Sequence, residues 1–172
     1  VPTLKIERSG GSVKAVAFGY ACHNTTLAIT QFTGDYAGFA QAHIESKMPG
    51  TIALFSAGCG GDQNPLPRGT VELAQKYGEE LGDAVLTTLK SEMTPVHGPI
   101  QTVYEEIPLA LSEPPTREEL ERQLQDQNKY VARRAKRLIE TFDEKGNLDT
   151  EYPYPIQIWN FDGTLQLTTL GG

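Results

Sequence analysis

Apolar residues at the two ends of the chain follow strand-like patterns. Near the start, Leu4 and Ile6 alternate with polar residues, a Ser-Gly-Gly-Ser turn follows, and residues 13–22 are mostly apolar. This pattern predicts a hairpin whose second strand is buried on both faces. A second hairpin is predicted at residues 156–170, where two apolar runs flank a two-residue turn at Asp162-Gly163.

Three segments between the hairpins show the helical period. The first starts at Gly34-Asp35 and ends at Pro49-Gly50, and the second runs from Val71 to Leu89. The third begins with a capping box at Thr116–Glu119 and is expected to continue to about Phe142. We therefore predict three helices.

Shorter apolar segments complete the pattern. Residues 51–55 and 100–111 predict strands, and residues 27–32 predict a weaker one. The resulting order indicates an α/β class, with a mixed sheet, flanking helices in layers, and hairpins at both ends. Because glycine inside a helix costs about 1 kcal/mol relative to alanine, we expect Gly78 and Gly82 to allow close packing against the sheet.

The totals fit one domain, and we expect residues 1–172 to form it. With 172 residues and 38% apolar residues, the chain can bury a core. Its formal charge of −7 argues against non-specific binding to nucleic acid. No apolar run reaches the roughly 20 residues that cross a bilayer. Cys22 and Cys59 could pair, bind metal or stay free.

One basic run departs from the acidic balance. Residues 133–137 read Arg-Arg-Ala-Lys-Arg on the third predicted helix. Acidic residues are interleaved nearby, so a solvated helix face is the favoured interpretation. A patch for an anionic partner is the alternative.

The most informative segment is the glycine-rich loop at residues 56–68. It follows a predicted strand, precedes a predicted helix, and carries glycines, an acid, two amides, a thiol, two prolines and an arginine. Glycine lets the backbone approach a ligand closely, and polar turns of this kind are common binding sites in α/β proteins. A surface turn that needs glycine only for its dihedral angles is the alternative.

His23 is the second candidate. It stands near the end of the predicted buried strand, which is a rigid mount. Neutral imidazole is the commonest metal ligand, although a hydrogen-bonded structural histidine would fit the same place.

Three segments in fixed order resemble the catalytic domain of the neutral/alkaline non-lysosomal ceramidases. They are Phe18–Thr25, Thr33–Ala40 and Gly61–Pro65. The likeness is strongest to the shorter ceramidase-like proteins of environmental bacteria, and it covers residues 13–68. The resemblance implies a hydrolase that cleaves the amide of N-acyl sphingosines at a zinc site, with His23 as one zinc ligand. It also implies an exported parent protein, periplasmic or extracellular.

Two features depart from the family pattern. The family serine nucleophile falls at Asn64, and an amide cannot replace it. The other zinc ligands are expected before Val1 and just beyond Gly171-Gly172, so this chain would be the middle of a larger catalytic domain. We expect the excised chain to bind zinc poorly and to be inactive.

The resemblance also assigns a substrate side to the loop. We expect Asp62, Gln63, Asn64 and Arg68 to line it. Gln63 and Asn64 would orient a small-molecule or lipid amide or donate to an oxyanion. Arg68 would hold a polar or anionic group.

Two alternatives remain open. In the first, Cys59 is a nucleophile and His23 its base, without metal. In the second, loss of the serine marks a non-catalytic binding or structural module that kept the fold.

Overall fold

In the computed structural model, which describes residues 1–171, the chain divides into two compact units. The amino-terminal unit is Val1–Thr94, and the carboxy-terminal unit runs from Pro95 to the end of the described residues. The predicted mixed α/β class is confirmed, with two three-stranded sheets and four helices across the described residues. That residues 1–172 form one domain stays a prediction.

The amino-terminal unit joins a mixed sheet to two helices. Its elements are β1 (Thr3–Glu7), β2 (Val13–Tyr20), α1 (Asp35–Lys47), β3 (Ile52–Ala57) and α2 (Val71–Thr88). Strand β1 is antiparallel to β2, and β3 is parallel to β2. The parallel pair needs a crossover, which α1 supplies.

One face of this sheet lies under α1, and α2 packs on α1. Alternate residues of β2, Val16 and Phe18, are buried against the helices. The core of this unit has nine buried members: Val16, Phe18, Tyr36, Ala37, Ala40, Ile44, Ala53, Leu81 and Val85. The opposite face of the sheet is more open, and Ile52 and Leu54 are about half exposed there. Burial of β2 on both faces is therefore only partial.

Gly78 and Gly82 permit close packing, but their partner is α1 and not the sheet. A β-carbon on Gly78 would lie 2.6 Å from the carbonyl oxygen of Tyr36 and 2.8 Å from the nitrogen of Ala40. One on Gly82 would meet the ring of His43 at 2.8 Å. The two helices therefore approach at a glycine face, and α1 separates α2 from the sheet.

The carboxy-terminal unit has an antiparallel sheet and a helix pair. Its elements are β4 (Ile100–Ala110), α3 (Arg117–Gln123), α4 (Lys129–Lys145), β5 (Glu151–Phe161) and β6 (Leu165–Leu170). The strand order is β4-β5-β6. Its buried cluster is small and lies between the helices and the following turn, with Leu120, Ala135 and Leu148 at its centre.

Three predicted details are wrong. Residues 27–32 are irregular, and Phe32 is fully exposed. The third helix is two helices, because Asn128 caps α4 with its side chain on the N–H of Tyr130. The second hairpin has a three-residue loop, since Phe161 pairs with Leu165.

Candidate functional site

The carboxyl ends of β2 and β3 bring the two predicted segments together. Tyr20 pairs with Ala57 at the last step of this parallel ladder. The chain then leaves β2 toward His23 and leaves β3 into the glycine-rich loop. In α/β proteins, ligands bind beyond the carboxyl ends of parallel strands, so the topology alone makes this edge a candidate site.

The His23 imidazole lies directly on the glycine-rich loop. Its backbone N–H donates to the carbonyl of Gln63 at 3.0 Å, and its Nε2 lies 3.1 Å from the carbonyl oxygen of Gly61. A carbonyl can only accept, so Nε2 carries the proton in this contact. The lone pair of the neutral ring is then on Nδ1. The side chain is exposed to solvent, so that nitrogen is free to act as a ligand or a base.

Gly60 explains why the loop needs glycine at that position. A β-carbon there would collide with the backbone of Ala21 and Cys22, including Cys22 Cα at 2.8 Å. Gly61, one residue later, has open space where its β-carbon would be. Gly60 therefore lets the loop lie directly against the segment that follows β2, where the Gly61 and Gln63 carbonyls contact His23.

Asn64 is held by two donors. Its Oδ1 accepts from the Thr25 hydroxyl at 3.2 Å and from Nη1 of Arg68 at 3.3 Å. Both contacts engage the amide oxygen, and the NH₂ group makes no side-chain hydrogen bond within residues 1–171. A fixed amide donor of this kind can stabilise negative charge on a substrate oxygen.

The other predicted site residues have different surroundings. The carbonyl of Gln63 accepts from the Cys22 thiol at 3.6 Å, in addition to the N–H of His23. Asp62 is exposed, and its carboxylate makes no hydrogen bond to any residue between 1 and 171. The contacts of His23 with Gln63 and of Asn64 with Arg68 lie on adjacent loop residues, and we refer to the two sets together as the loop network. Asp62 lies on the solvent side of it.

Tyr36 supports the site from α1. Its hydroxyl donates to the carbonyl of Cys22 at 2.8 Å. Burial raises the pKa of Tyr36, and the nearby Cys22 and Tyr20 raise that pKa further. The phenol therefore stays protonated across the ordinary pH range and remains a donor. This bond fixes the backbone immediately before His23.

Asp35 has a structural role at the start of α1. Its carboxylate accepts from the N–H of Leu27 at 2.8 Å and from the N–H of Tyr36 at 2.7 Å. It also adopts a positive φ of 51°, which is uncommon outside glycine. These bonds tie the irregular segment after His23 to the helix that carries Tyr36.

The far end of the loop is anchored on α2. The Tyr77 hydroxyl donates to the carbonyl of Pro67 at 2.6 Å, and the N–H of Gly69 donates to the carbonyl of Thr26 at 2.7 Å. Thr25 and Tyr36 lay inside the segments quoted for the family resemblance, but their partners are distant in sequence. Thr25, Tyr36 and Tyr77 could not have been given their roles from spacing alone.

A cavity of about 430 Å³ lies beside this network. Gln63 and Asn64 line it, together with side chains of both helices. Its aromatic walls are Tyr20, Tyr36 and Tyr77, and Glu80 is its one acidic lining residue in the described chain. His23, Asp62 and Arg68 lie outside the lining. The cavity is large enough for a small apolar group with one or two polar contacts.

His23 is the one residue of this chain that was predicted to bind zinc, and that role stays a prediction. Among residues 1–171, no three His, Cys, Asp or Glu side chains come together as a group that could hold a metal ion. A zinc site needs at least three protein ligands, so the residues present do not fit zinc by themselves. Gly172, next to which a further ligand was expected, lies outside the described residues.

Cys59 is placed differently from a nucleophile paired with His23. Both cysteines have free thiols, and Cys59 is exposed. The described residues contain no hydrogen bond between Cys59 and His23, whose Nε2 is engaged by Gly61. This geometry does not favour the cysteine-hydrolase alternative.

The fold is that of a mixed α/β protein, and its candidate site lies at the carboxyl end of a parallel strand pair. No protein-family model matches the sequence, and no curated protein matches it. Solved structures that match the fold include two ceramidases. Neutral ceramidase from Pseudomonas aeruginosa has a TM-score of 0.57 and 15% identity, over 96% of this chain and 33% of that chain. A ceramidase complexed with C2 has a TM-score of 0.60 and 14% identity, over 99% of this chain and 35% of that chain.

These matches confirm the resemblance to neutral ceramidases at the level of the fold. The chain has the fold of about a third of a ceramidase chain. No helix in residues 1–171 is both long and apolar enough to cross a membrane.

Proposed function

We propose that this chain is part of a zinc-dependent amidohydrolase of the ceramidase type, which hydrolyses an N-acyl amide or a related bond. The observation that supports this most strongly is the His23 imidazole, whose Nε2 is held by the Gly61 carbonyl in a residue that is exposed to solvent. Metal-binding histidines usually donate their second ring N–H to a carbonyl or carboxylate, which fixes the ring and its tautomer. The ceramidase fold around this histidine supports the same assignment.

In this proposal, His23 supplies one zinc ligand. The remaining ligands would come from outside the described residues, as the family resemblance implies, and residues 1–171 contain no group of three donors that could hold a metal ion. Zinc, when bound, would supply Lewis acidity to the scissile carbonyl and to a water molecule. The 172-residue chain by itself is expected to bind zinc poorly and to be inactive.

The loop residues would bind and orient the amide. The Asn64 NH₂ group would donate to the carbonyl oxygen of the substrate, and Arg68 would hold Asn64 in that orientation through Oδ1. Gln63 would add a polar contact from the cavity wall. Asp62 would reach a substrate group from the solvent side. The substrate class, a small-molecule or lipid amide, follows from the fold likeness and from the aromatic cavity.

The test uses the native protein that carries this chain, with His23→Ala compared to His97→Ala. His97 is exposed and has no part in the network. We expect the wild type and His97→Ala to hold one zinc per protein and to hydrolyse a fluorescent short-chain N-acyl sphingosine. His23→Ala should lose the metal and the activity together. Stoichiometric zinc in His23→Ala would contradict the proposal.

The alternative is a non-catalytic binding or structural module that kept this fold. It is favoured by one observation, which is that an amide stands at Asn64 where the family resemblance places a serine. If the native protein carries no stoichiometric zinc and its Asn64→Ser variant hydrolyses nothing, this alternative replaces the enzyme.

The cysteine alternative has its own measurement. Iodoacetamide labelling at neutral pH, with Cys59→Ser as control, should show slow modification typical of an unactivated thiol. Rapid labelling of Cys59 that His23→Ala abolishes would support a cysteine nucleophile instead.

A further inference from the structure

The first half of α4 carries a dense positive charge in an acidic chain. Residues 127–139 contain five cations and no acid, although the whole chain has a net charge of −7. Three of these cations, Arg133, Arg134 and Arg137, share one helix face with Tyr130. All four side chains are exposed.

The three arginines are unpaired within the described residues. No carboxylate among residues 1–171 lies within 4.0 Å of their guanidinium groups. By contrast, Arg117 pairs with Glu121 at 3.0 Å and also with Asp143, and Arg122 pairs with Glu118 at 3.1 Å. The solvated-face interpretation depended on interleaved acids. Glu118, Glu121 and Asp143 pair with the arginines of α3, and Glu140 pairs with Lys136, so none of these four pairs with the three arginines of this face.

The opposite face of α4 packs in the core of its unit. Ala135 is fully buried, and Leu138, Ile139 and Phe142 pack around it in the small core of this unit. The orientation of α4 within its unit is therefore fixed, and the arginine face is directed outward. Beside it lies an open groove of about 400 Å³, bordered by Leu138 and Thr141.

The chemistry of the face selects among anionic partners. Arginine and tyrosine are both common in protein interfaces, but the fully buried centre of such an interface is largely apolar. This face instead has three charged guanidinium groups at its centre. DNA-binding proteins contact about six to ten phosphates, which is more than five cations supply. A bilayer surface needs only clustered charge on an exposed helix, with a tyrosine at headgroup level.

We propose that the arginine face of α4, formed by Tyr130, Arg133, Arg134 and Arg137, binds the surface of an anionic lipid bilayer. Electrostatic screening has a length of about 8 Å at physiological ionic strength. The local patch therefore governs contact, and the net negative charge of the chain acts weakly at longer range. The proposal does not depend on hydrolase activity.

The test is co-sedimentation of the 172-residue chain with vesicles. One set is phosphatidylcholine alone, and the other contains about 30% phosphatidylserine, in about 0.1 M salt. Each basic residue near an anionic surface contributes about a fivefold factor in binding. We therefore expect Arg133→Gln/Arg134→Gln/Arg137→Gln to bind the anionic vesicles about 100-fold more weakly than the wild type.

The control removes the same charge elsewhere. Lys14, Lys47 and Lys90 are exposed, and none forms an ion pair with a described residue. Lys14→Gln/Lys47→Gln/Lys90→Gln should retain binding, as should Arg133→Lys/Arg134→Lys/Arg137→Lys. Far-UV circular dichroism checks that each variant is folded, and the wild type should detach as the salt concentration rises.

Three results would overturn the proposal. The first is wild-type binding to anionic vesicles no stronger than to phosphatidylcholine alone. The second is a loss of binding in Lys14→Gln/Lys47→Gln/Lys90→Gln as large as that in the arginine-to-glutamine triple variant. The third is tighter binding to duplex DNA or polyglutamate than to vesicles at matched negative charge. None of these readouts involves hydrolysis, so failure here and failure of the proposed enzyme are separate outcomes.

Discussion

The two units contain similar elements but bury them differently. Each has a three-stranded sheet and two helices. In the amino-terminal unit, residues of the sheet and of both helices form one nine-residue core. In the carboxy-terminal unit, the three-residue buried cluster contains no residue from its sheet, and all eleven positions of β4 are exposed.

This difference shows where a precise site can be built. His23 and the glycine-rich loop follow the two strands that belong to the larger core, and Tyr36 and Tyr77 tie them to both helices. Functional side chains need rigid support from packed elements. The candidate site therefore lies on the better-packed unit, and the surface proposed for lipid binding lies on the unit with the smaller core.

The largest effect is expected from truncating each core at a fully buried residue. Ile44 and Leu120 are both 0% exposed. We expect Ile44→Ala to destabilise its unit by about 4 kcal/mol and Leu120→Ala by about 2 kcal/mol, because the smaller cluster collapses more easily around the cavity. Amide hydrogen exchange, measured at increasing denaturant concentration, gives the free energy of unfolding of each unit separately. Trp159, the single tryptophan, reports on the second by fluorescence. Equal losses would contradict the comparison.

The second test concerns the contact between α1 and α2. Gly78→Ala should cost about 3 kcal/mol, because its β-carbon meets the backbone of α1, which cannot move without shifting the helix. Gly82→Ala is the matched control. Its β-carbon meets only the His43 ring, and alanine favours the helix by about 1 kcal/mol. Thermal unfolding of both variants compares them, and a Gly82→Ala loss as large as that of Gly78→Ala would refute this account.

The third test separates the site from the core. Gly60→Ala should cost about 2 kcal/mol by pushing the loop away from Cys22. It should also release His23 from Gly61, which the imidazole chemical shifts in NMR spectra would report. The β-carbon of Gly61→Ala would lie in open space, so this variant should change neither the free energy of unfolding nor the His23 chemical shifts. Identical His23 spectra for the two variants would show that Gly60 does not position the loop.

The smallest effect is expected at the α3 cap. Thr116→Ala removes a capping hydroxyl and should cost the carboxy-terminal unit about 1 kcal/mol. The backbone N–H and hydroxyl of Thr116 donate to Glu119 and lower the pKa of Glu119. The resulting stabilisation is present above the unfolded-state pKa of about 4.3. It is lost as pH falls through the lower folded-state value. Acid titration of helicity should show this loss in the wild type and less of it in Glu119→Gln.

Much of this fold could be predicted because its signals are local. The caps at Thr116 and Gly34-Asp35, the period of α2 and the alternation of β4 all act within one element. The break at Asn128 was missed because the helical period of the apolar residues continues across it, and the capping role of Asn128 is visible only in the structure. The partner of Gly78 was missed because one chain segment does not show which neighbour a glycine will touch.

The candidate site was predictable to a smaller extent. The composition of the loop and the position of His23 indicated the location of a candidate site. The network itself depends on pairs separated by about forty positions, such as Thr25 with Asn64 and His23 with Gly61. Such pairs are set by the parallel register of β2 and β3, which no spacing in the sequence reveals.

The position of β4 as an edge strand has a consequence for the behaviour of the molecule in concentrated solution. A strand of eleven residues at the rim of a sheet is a template on which further strands can add. Here the middle of that rim carries Glu105, Glu106 and Pro108, which combine like-charge repulsion with a residue that lacks a backbone donor. We expect these three side chains to oppose fibrillar self-assembly, and a substitution there by threonine or valine to favour it.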